Sequence, residues 1–278
     1  MTTPQMKTSI HGRALGIGHN GEIIAGNQYI SGPTPADVWA GCPSPNAADP
    51  SGHFAIFDDF LLPATTAVSD VTAWSAVNDG ATGTPVFQDA AGGIFNVVTA
   101  AADNDYSAYK SLTQPFKFAQ GKALWFEARF KIAEATTSES TWWFGLSDTT
   151  TTGGMQANTS GPLASYDGAL IYKTPETALT VNFECSNAGT QATLAAFATA
   201  ISDTWHRAAF YFDGDPAGSG TATITPYFHN GTSWTKGTAQ DITLAGLEEM
   251  NVVYGVKAGP TAAAETLQID YIKCVQVR

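Results

Sequence analysis

The chain has 278 residues, a formal net charge of -12 and only 14% charged side chains. This acidic balance repels nucleic acid phosphates and anionic membrane surfaces, so it excludes nucleic acid as a favoured partner. Hydrophobic residues make up 44% of the sequence, enough for a sizeable core, and no apolar run is long enough to predict membrane insertion. The composition therefore predicts a folded protein that binds neither nucleic acid nor the membrane interior.

Residues 1–52 differ from the rest of the chain because prolines and glycines are frequent there. Such residues break regular structure, so this segment is predicted to be an extended arm and linker rather than a packed domain. Leu15 and Ile17 precede a His-Asn-Gly turn sequence. Ile23 and Ile24 follow it, a pattern that predicts a small β-hairpin. The arm is nearly neutral and cannot bury its apolar residues alone, which predicts a binding partner.

The second segment, residues 53–278, is predicted to be a β-domain. Apolar and polar residues alternate from Leu124 to Ile132, as expected for a strand with one buried face. Residues 141–147 are predicted to pair with this strand as a hairpin. Further strands are predicted at residues 54–61, 84–88, 93–98, 106–117, 168–173, 179–185, 192–197, 205–213, 221–229, 250–257 and 266–277. Many antiparallel strands without intervening helices predict an all-β, two-sheet jelly-roll sandwich.

Sandwich folds also carry glycosidases, whose chemistry needs a pair of carboxyl groups about 5 Å apart in retaining enzymes. The sequence contains no Glu-x-Asp-x-x-Glu run that would place such a pair on one strand. Glu127 is followed on the same strand face by Arg129, which favours an ion pair. No strand-turn-helix nucleophile motif is present either. We therefore expect that the protein is not an enzyme.

Three carboxylates are the main candidates for a metal site, and the oxygen-rich turn Asp103–Asp105 is a further one. Asp58 and Asp59 near the first strand of the sandwich could meet Asp270 in the last, because first and last strands often pair in jelly rolls. Oxygen ligands of this kind suit Ca²⁺. The alternative is that Asp59 or Asp270 accepts backbone hydrogen bonds at a strand end. The three cysteines are widely spaced and predict neither a disulfide framework nor a metal site, so no other cofactor is expected.

Aromatic residues offer a second kind of candidate site. Aromatic rings on a sandwich face can stack against sugars. The alternative is that these rings lie in or just above the core. The candidates for sugar stacking are Trp125, Trp143, Tyr172 and Trp234.

The sandwich sequence resembles a known family. FDDFL at Phe57–Leu61, ALWFEARFKI, WWFGLSD, WHRAAFYFDG and LQIDYIKCVQV resemble the concanavalin A-like, or laminin-G-like, jelly rolls of many phage virion proteins. The arm sequence SIHGRALGIGHNGEII, residues 9–24, looks like the N-terminal element of phage head-decoration proteins. The resemblance implies a capsid decoration protein that binds the major capsid protein through its arm. It implies a location on the outer surface of the virion, with possible self-association on the shell.

In this interpretation the arm supplies the contacts to the capsid. The implied partner-binding residues are Ile10, His11, Arg13, Leu15, Ile17, Ile23, Ile24, Tyr29 and Trp39. One alternative is that the arm folds back on its own sandwich. A second hypothesis is a carbohydrate-binding module of the virion or tail, which would attach to host-surface glycans through exposed aromatic rings.

Overall fold

The arm forms a small sheet of its own. The computed structural model describes residues 38–39, 41–43, 52–61, 73–78, 85–88, 92–133, 140–149, 151, 154–155, 161–175, 179–260 and 263–278, and the backbone of four arm strands. These strands are β1 (Ser9–Ile10), β2 (Arg13–Ile17), β3 (Ile23–Ala25) and β4 (Gln28–Tyr29). They form a sheet in the order β1-β2-β3-β4, separate from the other described sheets. Ile17 lies opposite Ile23, which confirms the predicted hairpin, whereas β1 and β4 were not predicted.

The remaining described strands form the sandwich. They are β5 (His53–Asp58), β6 (Trp74–Asn78), β7 (Val86–Gln88), β8 (Ile94–Val98), β9 (Tyr106–Ser111), β10 (Leu124–Ala133), β11 (Thr141–Ser147), β12 (Gly168–Lys173), β13 (Thr180–Asn187), β14 (Thr190–Thr199), β15 (Trp205–Phe212), β16 (Thr221–His229), β17 (Trp234–Lys236), β18 (Gln240–Thr243), β19 (Asn251–Lys257) and β20 (Thr266–Val277). Among the described residues no helix is long and apolar enough to cross a membrane.

Two antiparallel sheets face each other across the core. The large sheet has nine strands, in the order β17-β16-β15-β10-β20-β8-β7, with β18 beside β16 and β5 beside β20. The small sheet has seven strands, in the order β14-β13-β12-β11-β19-β9-β6. The first and last strands of the sandwich pair as expected, because β5 lies against β20. The all-β two-sheet prediction is therefore confirmed, and the short strands β6, β17 and β18 are additions to it.

The predicted hairpin between β10 and β11 is wrong. β10 pairs with β15 and β20, whereas β11 pairs with β12 and β19, so the two strands belong to opposite sheets. Their apolar faces meet across the core instead. The ring centroid of Phe130 lies 4.8 Å from that of Trp142 and 4.4 Å from that of Phe144. Facing each other in this way buries both apolar faces, which edge-to-edge pairing alone would leave open on one side.

One core residue is a histidine. His206 of β15 faces inward opposite Phe130 and is fully buried. Its Nε2–H donates to the Ile201 carbonyl oxygen at 2.8 Å, and its buried Nδ1 has no hydrogen-bond partner. Burial lowers the pKa of His206 from 6.5 to about 4. The side chain therefore stays neutral in the folded protein at pH values where an unfolded chain protonates it.

Acidification should destabilise the fold through His206. Between pH 6.5 and about 4 the unfolded state binds a proton that the folded state does not, so the free energy of unfolding falls as the pH drops. The full shift corresponds to about 3 kcal/mol. Urea denaturation across this pH range should show that the free energy of unfolding declines less with falling pH for His206→Gln than for the natural protein.

The comparison of the two proteins isolates the histidine. Burial raises the pKa values of Asp59, Asp148 and Glu184, which gives an opposite pH dependence that both proteins share. Parallel pH profiles for the two proteins would show that His206 makes no contribution.

Candidate functional site

The outer face of the large sheet carries a concentration of positive charge. Alternation along β10 turns Leu124 and Phe126 into the core and leaves the odd-numbered residues on the outer face. We call this outer face of the large sheet the cationic face. Its cations are Arg129, Lys131, Arg207, Lys236 and Lys273. The chain has 13 lysines and arginines in all, so this one face holds a large share of them.

One line of residues crosses the cationic face from strand to strand. Strand pairing places Tyr271 opposite Arg129, Arg129 opposite Arg207, Arg207 opposite His229, and His229 opposite Trp234. We call these five residues the cross-strand row. Adjacent strands lie about 4.8 Å apart, so the row extends about 19 Å. All five side chains are half-buried, which leaves part of each open to a ligand.

Aromatic rings flank this row. The guanidinium carbon of Arg129 lies 4.6 Å from the ring centroid of Trp205, which is half-buried. The rings of His229 and Trp234 lie 5.2 Å apart. Phe57 is the most open ring on this side of the sheet, at 61% exposed, and lies 6.5 Å from Tyr271. Flat rings beside N–H donors are the groups that sandwich proteins use to hold polar organic ligands.

The arm's C-terminal end covers another part of the cationic face. Residues 38–39 and 41–43, the clasp segment, pack against Trp125 and Val275. Trp39 donates its indole N–H to Glu127 Oε2 at 2.6 Å and is only 8% exposed. The Nζ of Lys273 lies 3.9 Å from the Trp39 ring centroid. The clasp segment thus fills an apolar gap on the sheet and supplies a donor to a buried carboxylate.

Glu127 is the centre of this contact. It is 5% exposed, and its second oxygen accepts a hydrogen bond from the Tyr271 hydroxyl. Burial, reinforced by the charge of Glu127, raises the pKa of Tyr271, so the phenol keeps its proton and remains a donor. Burial also lowers the pKa of Lys273, an effect that Glu127 opposes. The expected surface ion pair between Glu127 and Arg129 is wrong, because Arg129 pairs with Asp270 instead.

Two predicted site residues are buried where the clasp segment packs on the large sheet. Trp39 was predicted to contact a capsid, but its ring and its N–H are already occupied by the sandwich. For this end of the arm the alternative of folding back is correct. Trp125 was predicted to stack on sugars, but it is 2% exposed beneath Trp39 and Tyr227. Neither residue can serve the predicted role while the clasp segment is in place.

Two further predicted stacking residues lie on the opposite sheet. Trp143 and Tyr172 are neighbours on the outer face of the small sheet and are 1% and 6% exposed. Trp143 lies over Gly255, where a Cβ would come within 2.3 Å of the ring, and Met155 packs beside it. The four-residue stacking platform is therefore wrong. Of its members only Trp234 is partly open and joins the cross-strand row.

Two of the three predicted calcium ligands have other partners. Asp58 accepts the backbone N–H of Phe60 at 2.8 Å and the indole N–H of Trp74 at 2.6 Å. Asp270 pairs with Arg129. Burial raises the pKa of Asp59, and the charges of Asp270 and Asp58 add to the rise. The carboxylate that accepts a backbone hydrogen bond is thus Asp58, rather than Asp59 or Asp270 as the alternative predicted. Within the part of the chain that the structure describes, no three His, Cys, Asp or Glu side chains form a potential metal site.

The remaining predicted partner-binding residues lie in the arm sheet. Their backbone positions are Ile10 in β1, Arg13, Leu15 and Ile17 in β2, Ile23 and Ile24 in β3, and Tyr29 in β4. His11 lies outside the described residues. The arm sheet therefore brings these seven positions together in one small unit, joined to the sandwich by the clasp segment.

Comparisons with known proteins bear on the fold. No family model matches the chain, and no curated protein matches it in sequence. Lectin II from Ulex europaeus matches with a TM-score of 0.56 at 10% identity, over 81% of this chain and 99% of that one. Peanut lectin matches with a TM-score of 0.55 at 11% identity, over 81% and 97%. The metal-free carbohydrate recognition domain of Emp46p matches with a TM-score of 0.51 at 10% identity, over 78% and 94%.

At this level of identity the matches show the fold alone. The resemblance of the arm to phage head-decoration proteins stays a prediction. The two-sheet sandwich is a jelly roll of the lectin and concanavalin A-like type, as the sequence predicted.

Proposed function

We propose that this protein is a carbohydrate-binding module that holds an extended glycan on its cationic face. The observation that carries the proposal is the cross-strand row, in which half-exposed rings stand beside side-chain N–H donors. Trp205 and Trp234 are the two tryptophans of this face that the clasp segment leaves partly open. Both adjoin cationic or imidazole donors, through Arg129 and His229 respectively.

The chemistry of sugars fits such a surface. The C–H face of a sugar ring packs on an aromatic ring, while its hydroxyl groups accept hydrogen bonds from guanidinium and imidazole N–H groups. The row crosses five strands on a sheet face rather than lining a closed pocket. A surface about 19 Å long suits a chain of several sugars better than a single one. The proposed ligand is therefore an oligosaccharide or polysaccharide.

The structural neighbours support this proposal over capsid decoration. They include two lectins and a carbohydrate recognition domain. Their low identity to this chain transfers no sugar-binding residue, so the site is argued from the cationic face. Binding needs no catalysis, and the expectation that the protein is not an enzyme stays a prediction.

Removal of a flanking ring should weaken glycan binding. A glycan array with the full chain would first identify a ligand. We then expect Trp234→Ala to raise its Kd about tenfold, equivalent to about 1.4 kcal/mol of lost stacking. Leu112→Ala is the control, because Leu112 is also exposed, at 59%, but lies outside the cationic face. Equal losses in both variants, or no binding to any glycan, would overturn the proposed function.

A second candidate function is attachment to a phage head through the arm. It is favoured by the arm sheet, which pairs with no described strand of the sandwich. In this case the sandwich would lie on the outer surface of the virion and the arm would contact the major capsid protein. Co-sedimentation of heads with the full chain, and not with a chain lacking residues 1–37, is the expected result. Retained binding of the shortened chain would exclude the arm as the attachment.

A further inference from the structure

We propose that the glycan on the cationic face is acidic, and that one of its carboxylates binds between Arg129 and Arg207. This inference rests on the glycan-binding function proposed above and defines the ligand class for that site. It begins from strand pairing, because Arg129 and Arg207 lie directly opposite each other on β10 and β15. Like charges directly opposite on antiparallel strands are about 4.5–5.5 Å apart at Cβ and are destabilising. An anion between them would remove this cost.

The protein itself neutralises only one of the two arginines. Arg129 forms an ion pair with Asp270. The side chain of Arg207 has no hydrogen bond or ion pair with any residue that the structure describes. Glu127 cannot take this role readily, because its two oxygens already accept hydrogen bonds from Trp39 and Tyr271. Arg207 is therefore a half-buried guanidinium whose donors are available to a ligand.

His229 continues the row on the far side of Arg207. The Gly231 backbone N–H donates to His229 Nδ1 at 3.1 Å, so the proton of the neutral imidazole is on Nε2. Burial lowers the pKa of His229, and the charge of Arg207 lowers it further. Arg129 and Lys131 approach Trp205 on the other side. A glycan carboxylate bound at Arg207 would thus have the His229 imidazole N–H, a donor to sugar hydroxyl groups, on one side. The Trp205 ring, on which a sugar can stack, would lie on the other side.

The charge balance of the face also favours an acidic ligand. The acids nearest the cross-strand row, Glu127, Asp203 and Asp270, each have a partner among the described residues. Asp213 and Asp241 lie on the same sheet face beside Thr223, so the uncompensated positive charge is that of Arg207 in the row, on a chain whose formal net charge is -12. A positive region on an acidic protein guides anions to that region rather than to the surface as a whole.

A carboxylated glycan fits this surface better than a phosphate polymer. A planar carboxylate matches a guanidinium with two parallel hydrogen bonds. In such a glycan, uncharged faces of the sugar rings alternate with carboxylates. On the protein, the rings of Trp205 and Trp234 likewise lie on either side of the two arginines. A nucleic acid carries a phosphate at every nucleotide and would be repelled by the net negative charge of the remaining surface.

The test uses the full chain and two forms of one glycan. The first probe is an oligomer of polygalacturonate, and the second is its methyl ester, which has the same rings without the charges. We expect the natural protein to bind the acid at least about tenfold more tightly than the ester, with the preference reduced by salt. Arg207→Gln should remove this preference, and Arg207→Lys should keep part of it. Lys122→Gln, which removes an exposed charge away from the row, should leave the preference unchanged.

The outcomes separate the ligand class from the function. Equal affinity of the natural protein for acid and ester, or binding only to neutral glycans, would overturn the acidic ligand and leave glycan binding intact. No binding to any glycan would overturn both. Because Arg207→Gln relieves the repulsion from Arg129, its melting temperature should be equal to or above that of the natural protein. A preference that persists in a folded Arg207→Gln variant would also contradict the proposal.

Discussion

Removal of residues 1–37 should leave the stability of the sandwich unchanged, whereas removal of residues 1–43 should lower its free energy of unfolding by about 3–5 kcal/mol. The first truncation deletes the arm strands, which pair only with one another among the described strands. The second also deletes the clasp segment, whose Trp39 covers Trp125 and Val275 on the large sheet. Urea denaturation of both truncated chains measures the difference.

Full-length Trp39→Ala is the control for this truncation. It should reproduce most of the loss, since Trp39 provides both the ring and the hydrogen bond to Glu127. Equal stability of the two truncated chains would show that the clasp segment does not contribute to the folded sandwich.

Glu127→Ala should be the most destabilising single change on the cationic face, by about 3–5 kcal/mol. It removes a carboxylate that is 5% exposed, and it leaves the Trp39 indole and the Tyr271 hydroxyl without their acceptor. It also removes the negative charge that opposes the lowered pKa of the partly buried Lys273. Glu127→Gln should lose less, because the amide keeps one acceptor oxygen.

A surface ion pair provides the matched control. Glu249 accepts from Lys117 at 3.0 Å, and the side chains of the two residues are 55% and 41% exposed. Glu249→Ala should therefore leave the free energy of unfolding, measured by chemical denaturation, almost unchanged. Similar losses for Glu127→Ala and Glu249→Ala would contradict a structural role for the buried carboxylate.

Local periodicity was sufficient to predict where the strands lie, but not which strands pair with each other. The alternation from Leu124 to Ile132 predicted β10 and its buried face correctly. The same local pattern could not reveal that β11 lies in the opposite sheet, because pairing depends on strands distant in sequence. Short edge strands such as β6 lack enough residues to show a period of two.

The sequence could not predict which of the candidate site residues are exposed. Trp143 is buried because β11 is central in its sheet and Met155 packs over its outer face. Trp39 is buried because the large sheet has an apolar gap beside Glu127, which no local pattern in the arm encodes. By contrast, alternation in β15 does place Trp205 and Arg207 on one face. That signal could have directed attention to the cationic face.

A structure of the full chain bound to the tightest glycan from the array tests the central claim most directly. We expect sugar rings along the cross-strand row, with one ring against Trp205 or Trp234 and a sugar oxygen within hydrogen-bonding distance of Arg207. A glycan bound on the outer face of the small sheet or at the arm, with the cationic face empty, would contradict the account.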